Sequence, residues 1–530
     1  MYKNLKYLFI CSLFFAACSE DIEEDTSGVE SEVPVIAGTA DFSKYVALGN
    51  SLTAGYADGA LFRAGQSNSY PKLLSDQFAL AGGGTFTIPY MNDNIGGLLI
   101  GGFPLPGVGT RLYFNGCAPV NLSATPTTDL ASPLVGFYNN MGVPGAKSYH
   151  LLAPNYGDPN GLFTLPRTAN PYFVRFAQNQ TTSILADAMA QIPTFFSLWI
   201  GNNDVLGYAL SGGVPTSQDP VNGDNITPPN GTPGVGFDGT YTALINTLTT
   251  NGAKGVVANI PYVTAVPFFT TVSVNPIAPY KYYEDTDETI CSKTYDPSAN
   301  DIATINTINS KLIGPLSQIL PDRFKLLSTT KNNPVIIVDE SLTDFGPQIT
   351  SAAQNIPSLA PLAAYLGQTY GKARQTKAGD YILLTTSSVL GTTNSSLPLQ
   401  ILSQGLGAYG ITYPLGDKYA LVPSEVLEIK TATDLYNVTI KSLADDKGLA
   451  FVDANAALNQ VANGGVVFDN FHMTNDFVKG GAFGLDGVHP SARGQAYIAN
   501  KFIEAINAKY GSTLRKYKAQ DFPLSYPAGL

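Results

Sequence analysis

The chain has 530 residues, of which 44% are hydrophobic and 13% charged, and its formal net charge is −11. This length has room for one large domain or for two or three smaller ones, and the apolar content is sufficient for a substantial core. The acidic balance excludes a typical nucleic-acid-binding protein and argues against attraction to anionic membrane surfaces, because both require excess positive charge.

Residues 1–17 have the pattern of a secretory signal peptide. Two lysines precede an apolar run at 7–17 that is too short to span a membrane as a helix. Cys18 directly follows two alanines, which resembles the processing site of bacterial lipoproteins, although Phe15 stands where leucine is usual. The resemblance implies lipidation of Cys18 as the first residue of the mature protein.

Residues 18–40 are predicted to form an acidic flexible tether. The stretch "SEDIEEDTSGVESEVP" carries seven acids, and no basic residue occurs between Cys18 and Lys44. Such a segment cannot bury enough apolar area to fold. An acidic run just after a lipidated cysteine resembles the surface-export signal of Bacteroidetes lipoproteins. This implies a lipid anchor in the outer membrane and exposure at the cell surface.

From residue 44 onward, short apolar runs alternate with patterns typical of helices. In chain order these are a strand at 44–49, a helix that Ser69 is expected to cap, a strand at 194–201, a helix and strand within 241–261, a helix over 426–443, a strand at 449–453, and a last helix after Pro490. The alternation predicts an α/β fold with a parallel sheet covered on both faces. We expect one domain over 41–515, followed by a C-terminal tail at 516–530.

Three irregular stretches, near 211–238, 265–300 and 341–422, are too long for simple connections and are predicted to be insertions. Because ligands bind at the carboxyl ends of parallel strands, we expect the insertions to determine specificity. Cys117 and Cys291 are the cysteines that remain once Cys11 leaves with the signal and Cys18 carries the lipid. They form a possible disulfide, which the sequence leaves open.

The first strand stops abruptly at "GNSL", residues 49–52, which places Ser51 on a glycine turn. Several hydrolases present a nucleophile in this way, although an ordinary strand exit has the same appearance. A serine nucleophile needs a base, and Asp486 precedes His489 by only three residues, so that the carboxylate can orient the ring. The other two histidines are predicted to be structural: His150 has no nearby acid, and His472 has only Asp476, four residues away.

Two further positions are candidate donors for an oxyanion. Gly145 lies on a glycine-proline turn whose backbone N–H can face a ligand, and Asn203 follows a strand where its side-chain amide can do the same. Either one alone is equally consistent with an ordinary turn.

Four blocks in this order resemble the conserved blocks of the GDSL or SGNH hydrolases: "GNSL" at 49–52, "GVPGA" at 142–146, "GNND" at 201–204 and "DGVHP" at 486–490. This family includes esterases, lipases, thioesterases and carbohydrate acetylesterases. The resemblance implies that Ser51 is the nucleophile, that its N–H, Gly145 and Asn203 form the oxyanion hole, and that His489 is the base oriented by Asp486. It also implies a three-layer α/β/α sandwich with a flavodoxin-like sheet and no metal or cofactor.

The chain departs from the family in two respects. Asn50 replaces the aspartate that usually precedes the nucleophile, and the chain is far longer than the family core, so that the resemblance covers about half of it in separated segments. The aspartate at that position is not the triad acid. We therefore expect the change to affect hydrogen bonding in the turn more than the mechanism.

The expected function is a serine ester hydrolase of the lipase or acylesterase type, acting on a small-molecule, lipid or glycan ester. An aromatic set is expected to form an acyl pocket, a sugar platform or plain core: Phe268, Phe269, Tyr280, Tyr282 and Tyr283. The alternatives are a carbohydrate O-acetylesterase, a surface lipoprotein that binds glycans or lipids without turnover, and a metal hydrolase. The last is disfavoured because no HExxH motif and no carboxylate cluster are visible.

Overall fold

A computed structural model of the chain describes residues 34–214, 225–278 and 299–530, together with the short paired strands Tyr282–Tyr283 and Thr294–Tyr295. The expected signal peptide, Cys18 and most of the expected tether lie outside the described residues, as does Cys291. Cys117 itself is in a disulfide. Within the described part of the chain, no helix combines the length and hydrophobicity that a membrane crossing requires.

Among the described residues, the central sheet has five strands, all parallel. They are β1 (Tyr45–Gly49), β2 (Asn140–Gly142), β3 (Phe195–Trp199), β4 (Lys254–Ala258) and β5 (Ala450–Val452). Their order across the sheet is 2-1-3-4-5, with Gly49 of β1 paired to Gly142 on one side and to Trp199 on the other. β1 and β3 are buried along their whole length, as continuous apolar strands of a covered parallel sheet are. The predicted α/β class is confirmed.

In the part of the chain that the structure describes, eight helices accompany the sheet. They are α1 (Ser51–Ala54), α2 (Tyr70–Leu80), α3 (Ile184–Met189), α4 (Asn203–Leu210), α5 (Phe237–Thr249), α6 (Pro423–Asp446), α7 (Ala454–Ala462) and α8 (Ala492–Tyr510). Val46 and Leu48 of β1 join a core with α3 to α6, whereas Tyr45 and Ala47 join a second core with α2, α7 and α8. Period-two alternation along one strand thus places helices on both faces of the sheet.

Shorter elements complete the described chain. Further helical segments are Arg63–Ser67, Ser148–Leu151, Pro159–Phe163, Pro171–Val174, Val263–Ala265, Pro267–Thr270, Asn309–Ile313, Ala360–Leu362, Leu384–Ser388, Leu399–Leu402, Asp417–Tyr419 and Ala519–Asp521. Antiparallel pairs are Leu99–Ile100 with Phe103–Pro104, Leu112–Phe114 with Pro119–Asn121, Tyr381–Ile382 with Ala420–Leu421, and Val466–Phe468 with Phe471–Met473.

The start of α2 differs from the prediction in its capping. Ser69 is the residue before the helix, but its hydroxyl donates to the carbonyl of Gln66 and caps no helical N–H. The N–H of Tyr70 instead donates to the side chain of Gln495 in α8, at 3.0 Å. The prediction that Ser69 caps this helix is therefore wrong, because a side chain from a distant helix accepts from this end of the backbone.

The largest insertion extends beyond the expected boundary at 341. Residues 299–422 contain the helices Ala299–Ile308, Gly314–Ile319, Gly346–Gln354 and Ala363–Tyr370, which share a hydrophobic core of their own. The strand Ile336–Val338 pairs with Ala373–Gln375 across the expected boundary, and the buried Arg374 binds both Asp339 and Asp380. The insertion starts earlier because its sheet and ion pairs need residues on both sides of 341.

Both ends of the described chain pack onto the domain. The N–H of Thr39, at the end of the expected tether, donates to the carbonyl of Tyr510 at 2.8 Å. In the expected C-terminal tail, Phe522 and Tyr526 are buried, and the Arg111 guanidinium donates to the carbonyl of Pro527 at 2.6 Å. A backbone hydrogen bond therefore holds the first segment, and buried aromatic side chains together with Arg111 hold the second.

Candidate active site

The turn after β1 presents Ser51 at the start of α1. A Cβ on Gly49 would lie 2.1 Å from the Thr53 hydroxyl and 2.5 Å from the carbonyl of Trp199, so only glycine fits this close approach. The Asn50 side chain accepts from the N–H of Leu52 at 3.0 Å and so caps α1. Asparagine thereby supplies the acceptor that the turn needs.

Ser51, His489 and Asp486 form one continuous chain of hydrogen bonds. The Ser51 Oγ lies 2.9 Å from His489 Nε2, and His489 Nδ1 lies 2.9 Å from Asp486 Oδ2. Ser51 is only 6% exposed. Two segments from opposite ends of the sequence therefore place a hydroxyl, an imidazole and a carboxylate in the order that base-assisted nucleophilic attack requires.

Asp486 is held in its ionised form by the groups around it. Burial alone raises the pKa of this carboxyl, but the His489 ring and the backbone N–H groups of His489 and Val488 outweigh that effect and lower it. These two N–H groups each donate to Oδ1 at 2.8 Å, and the N–H of Gly59 donates to Oδ2, also at 2.8 Å. A fixed carboxylate of this kind orients the imidazole and stabilises its protonated form.

The turn that carries His489 is fixed from two directions. The N–H of Gly484 donates to the carbonyl of His489 at 2.8 Å and closes the turn on itself. Gly487 has a φ of 71° and its carbonyl accepts from the N–H of Phe268 at 2.9 Å. The ring of Tyr56 also lies 4.6 Å from that of His489. Phe268 belongs to the expected insertion at 265–300, which therefore supports the base.

The candidate oxyanion donors lie on the turns after β2 and β3. Gly145 has a φ of 81°, a conformation that favours glycine. In the part of the chain that the structure describes, the N–H groups of Ser51 and Gly145 have no protein acceptor. The side-chain amide of Asn203 donates to the carbonyl of Ala146 at 2.9 Å, which places it directly beside the Gly145 turn.

All these pieces follow the carboxyl ends of strands: Ser51 follows β1, Gly145 follows β2 and Asn203 follows β3. In this strand order, β1 and β3 flank the point where the direction of winding reverses, which is where open α/β sheets bind ligands.

Comparisons of the chain with models of protein families, with curated proteins and with solved structures give no match. The function of the site is therefore inferred from its geometry.

The two histidines predicted to be structural lie elsewhere. His150 stacks on Tyr156, with ring centroids 4.4 Å apart, and its Nδ1 accepts from the N–H of Lys147 at 3.0 Å. His472 lies on the exposed hairpin that ends at Met473, with its Nε2 2.8 Å from the carbonyl of Gly464. Within the described chain, the only imidazole hydrogen-bonded to Ser51 is that of His489.

An apolar cavity opens at Ser51 and His489. The space between protein atoms here amounts to about 970 Å³, part of which is open solvent, and it lies between the ends of β3 and β5 and the helices α7 and α8. Its apolar walls include Trp199, Leu206, Val452, Leu458, Val461, Met473, Ile498 and Phe502. Among the described lining residues, none comes from 299–422, so the largest insertion does not contribute to this cavity.

Phe268 and Phe269, the members of the expected aromatic set whose side chains the structure describes, do not line this cavity. Phe269 is buried in the core on the α3 to α6 face, and Phe268 packs against it with ring centroids 5.2 Å apart. The side chains of Tyr280, Tyr282 and Tyr283 lie outside the described residues. The cavity walls come from helices and strands of the central fold.

A buried carboxyl that the sequence did not predict, Asp58, lies behind the triad. Asp58 is 1% exposed, and its Oδ1 accepts from the N–H of Leu485 at 2.7 Å, just before Asp486. Its Oδ2 has no hydrogen-bond partner among the described residues. Burial raises the pKa of Asp58 to about 7. The only sequence signal is the "ADG" turn shortly after the nucleophile.

The structure also corrects the expectation that the chain has no carboxylate cluster. Glu340, Asp417 and Glu425 bring carboxylate oxygens within 4.8 Å of one another, and none of the three lines the cavity at Ser51. Burial and neighbouring carboxyls raise the pKa of Asp417 to about 8 and that of Glu425 to about 7. The sequence did not predict this cluster because Glu340 and Asp417 are far apart in the chain.

Proposed function

We propose that this protein is a serine hydrolase of carboxylic esters. The observation that carries the proposal is the unbroken hydrogen-bond chain from Ser51 through His489 to Asp486, with distances of 2.9 Å at both steps. A serine hydroxyl is a poor nucleophile unless a positioned base takes its proton, and this arrangement supplies both the base and its orienting acid. A protein that only binds its ligand has no need of all three groups.

In the proposed mechanism, Ser51 Oγ attacks the ester carbonyl carbon while its proton passes to His489 Nε2. The C–O bond to the alcohol then breaks, and His489 returns the proton to the departing oxygen. Water repeats the sequence on the acyl-enzyme: His489 takes a proton from water, the acid leaves, and Ser51 recovers its proton. Asp486 stays ionised and stabilises the imidazolium in both halves.

The negative charge on the carbonyl oxygen is proposed to be received by three donors. These are the backbone N–H groups of Ser51 and Gly145 and the side-chain amide of Asn203. The two N–H groups have no protein acceptor in the described chain, which is the state that an oxyanion site requires. The side-chain amide of Asn203 has two N–H donors: one donates to the carbonyl of Ala146 at 2.9 Å, and the other is proposed to donate to the oxyanion.

We further propose that the chain is a GDSL or SGNH hydrolase with a three-layer, flavodoxin-like core. The strand order 2-1-3-4-5 supports this, because it is the flavodoxin-like order. The four sequence blocks also support it, since each of them lies at the carboxyl edge of the sheet or on the turn before α8.

Fluorophosphonate labelling tests the proposal. We expect an adduct at Ser51 in the wild-type protein, no adduct in Ser51→Ala, and hydrolysis of p-nitrophenyl esters that is lost in the same variant. Activity should survive EDTA, whereas its loss would favour a metal hydrolase. If the folded wild-type protein gives neither adduct nor turnover, it binds glycans or lipids without cleaving them, and the proposal is wrong.

The location at the outer membrane is also a proposal, supported by Cys18 after its apolar leader and by the acidic run that follows. Metabolic labelling with a palmitate analogue should mark the wild-type protein and not Cys18→Ala. The variant should leave the membrane fraction, and protease added to intact cells should digest only the anchored form. Labelling of Cys18→Ala at the wild-type level would contradict the lipid anchor.

A further inference from the structure

The cavity at Ser51 is unusual because it lies within a hydrophobic core. Its lining combines the half-buried side chains of Leu206, Leu458 and Ile498 with buried residues of the core on the α2, α7 and α8 face, namely Trp199, Val452, Met473 and Phe502. Protein interiors are packed to nearly crystalline density, and an apolar void loses the contacts that its lining atoms would otherwise make. A void kept open beside a reactive serine is therefore expected to receive part of a ligand.

The chemistry of the walls selects the kind of group that fits. Apart from Tyr497 and Lys501 of α8, the polar side chains of the lining are the catalytic pair and three neighbouring asparagines, and the other lining residues are apolar: Ser51, His489, Asn50, Asn202 and Asn203 are the polar ones. A sugar would leave its hydroxyl groups without partners there, at a high free-energy cost. Trp199 is not a stacking platform either, because it is 3% exposed and its indole N–H donates to the carbonyl of Asn259 at 3.0 Å. A flexible hydrocarbon chain has no hydroxyl groups and therefore avoids the free-energy cost of leaving them without partners.

We propose that the cavity binds the acyl chain of a lipid-like ester, so that the substrate carries a long unbranched acyl group. This inference depends on the proposed function, in which the acyl group stays on Ser51 while the alcohol leaves first. A buried cavity suits the part of the substrate that remains attached, whereas the alcohol must depart before water can enter. The cavity reaches both Ser51 and His489, so a chain in it is continuous with the reacting carbonyl.

The position of Ala457 on α7 offers a direct test. Ala457 lines the cavity, while its neighbour Ala456 is exposed on the same helix and does not line it. Ala457→Phe should fill the space, and Ala456→Phe is the matched control. In the wild type we expect kcat/KM for p-nitrophenyl esters to rise about two- to fourfold for each added methylene between acetate and decanoate.

Ala457→Phe should lower the ratio of decanoate to acetate kcat/KM at least about tenfold, while Ala456→Phe should keep the wild-type ratio. A second measurement needs no variant: a decyl fluorophosphonate should label Ser51 faster than its methyl homologue. This comparison tests whether the cavity binds the acyl chain even if Ala457→Phe does not fold.

The outcomes separate the two proposals. If neither fluorophosphonate labels Ser51, the proposed hydrolase function fails. If Ser51 is labelled but acetate is the best ester, or Ala457→Phe keeps the wild-type ratio, the hydrolase stands and the acyl cavity is overturned. A preference for decyl acetate over ethyl decanoate would overturn it too, because the chain would then lie on the alcohol side.

Discussion

Asp204 accepts two hydrogen bonds from Ser148, one from its N–H at 2.8 Å and one from its hydroxyl at 2.6 Å. Asp204 directly follows Asn203 in α4, and Ser148 lies three residues after Gly145. The pair therefore joins the two turns that carry the proposed oxyanion donors. Asp204 is fully buried, so the strength of this connection does not depend on solvent.

We expect Asp204→Ala to lower kcat about 10- to 100-fold, because the Gly145 turn loses its anchor on α4. Ser148→Ala should have a smaller effect, since it removes the hydroxyl bond and keeps the one from the backbone N–H. Steady-state kinetics with a soluble ester measure both, and thermal denaturation shows whether each variant is folded. A folded Asp204→Ala enzyme with wild-type kcat would mean that the connection is irrelevant to turnover.

Asn203→Ala tests the oxyanion site itself. Loss of one donor should lower kcat about 10²- to 10³-fold with a small change in KM, because the missing hydrogen bond forms mainly in the transition state. Asn463→Ala, at the exposed end of α7, is a matched control and should retain full activity. If Asn203→Ala raises KM at constant kcat, Asn203 binds the substrate without stabilising the oxyanion.

Asp58→Asn should change how stability depends on pH. Burial raises the pKa of Asp58 to about 7, from an ordinary value near 4. Between these values the folded state holds a proton that the unfolded state has lost, so this group makes the wild type less stable as the pH rises through that range. The amide keeps an acceptor for Leu485 and removes the charge.

The variant should therefore gain stability over the wild type at about pH 8, by roughly 1–4 kcal/mol, and little or nothing at about pH 4. Urea denaturation across this range gives the difference between the two proteins. If the free energies of unfolding of the two proteins change in parallel with pH, the pKa of Asp58 is not raised in the folded protein.

Local patterns predicted much of this molecule because its main elements are regular. The buried run of β1 and the helical periodicity of α2, α6 and α8 are short-range signals, and the spacing of Asp486 and His489 already implied their contact. β2 was missed because Asn140–Gly142 is short and weakly apolar and owes its place to pairing with β1.

The cavity at Ser51 could not be predicted from the sequence for a different reason. Its walls come from strands and helices far apart in the chain, and each of their apolar residues has the pattern of ordinary core. The Asp58 contact with Leu485 likewise joins residues at opposite ends of the sequence. Whether such residues fill a core or leave a space depends on tertiary packing, which periodicity does not encode.

Asp486→Asn probes the orientation of the base. The asparagine keeps an oxygen for the N–H groups of Val488 and His489, which now donate to Oδ1. Its amide N–H₂ then faces His489 Nδ1 in place of Oδ2, and the ring must put its proton on Nε2. In that tautomer Nε2 can only donate to Ser51 and cannot accept its proton. We expect kcat at neutral pH to fall about 10⁴-fold.

Asp476→Asn is the control for that change, because Asp476 is an exposed acid on the loop after His472 and should be dispensable. Asp476→Asn should melt near the wild-type temperature, whereas Asp486→Asn should melt lower, because the N–H of Gly59 loses its acceptor at Oδ2. Activity is therefore compared at a temperature at which both variants are folded. A folded Asp486→Asn enzyme that retains more than about a tenth of the wild-type kcat would show that His489 is oriented by another group, with Tyr56 against its ring as the first to examine.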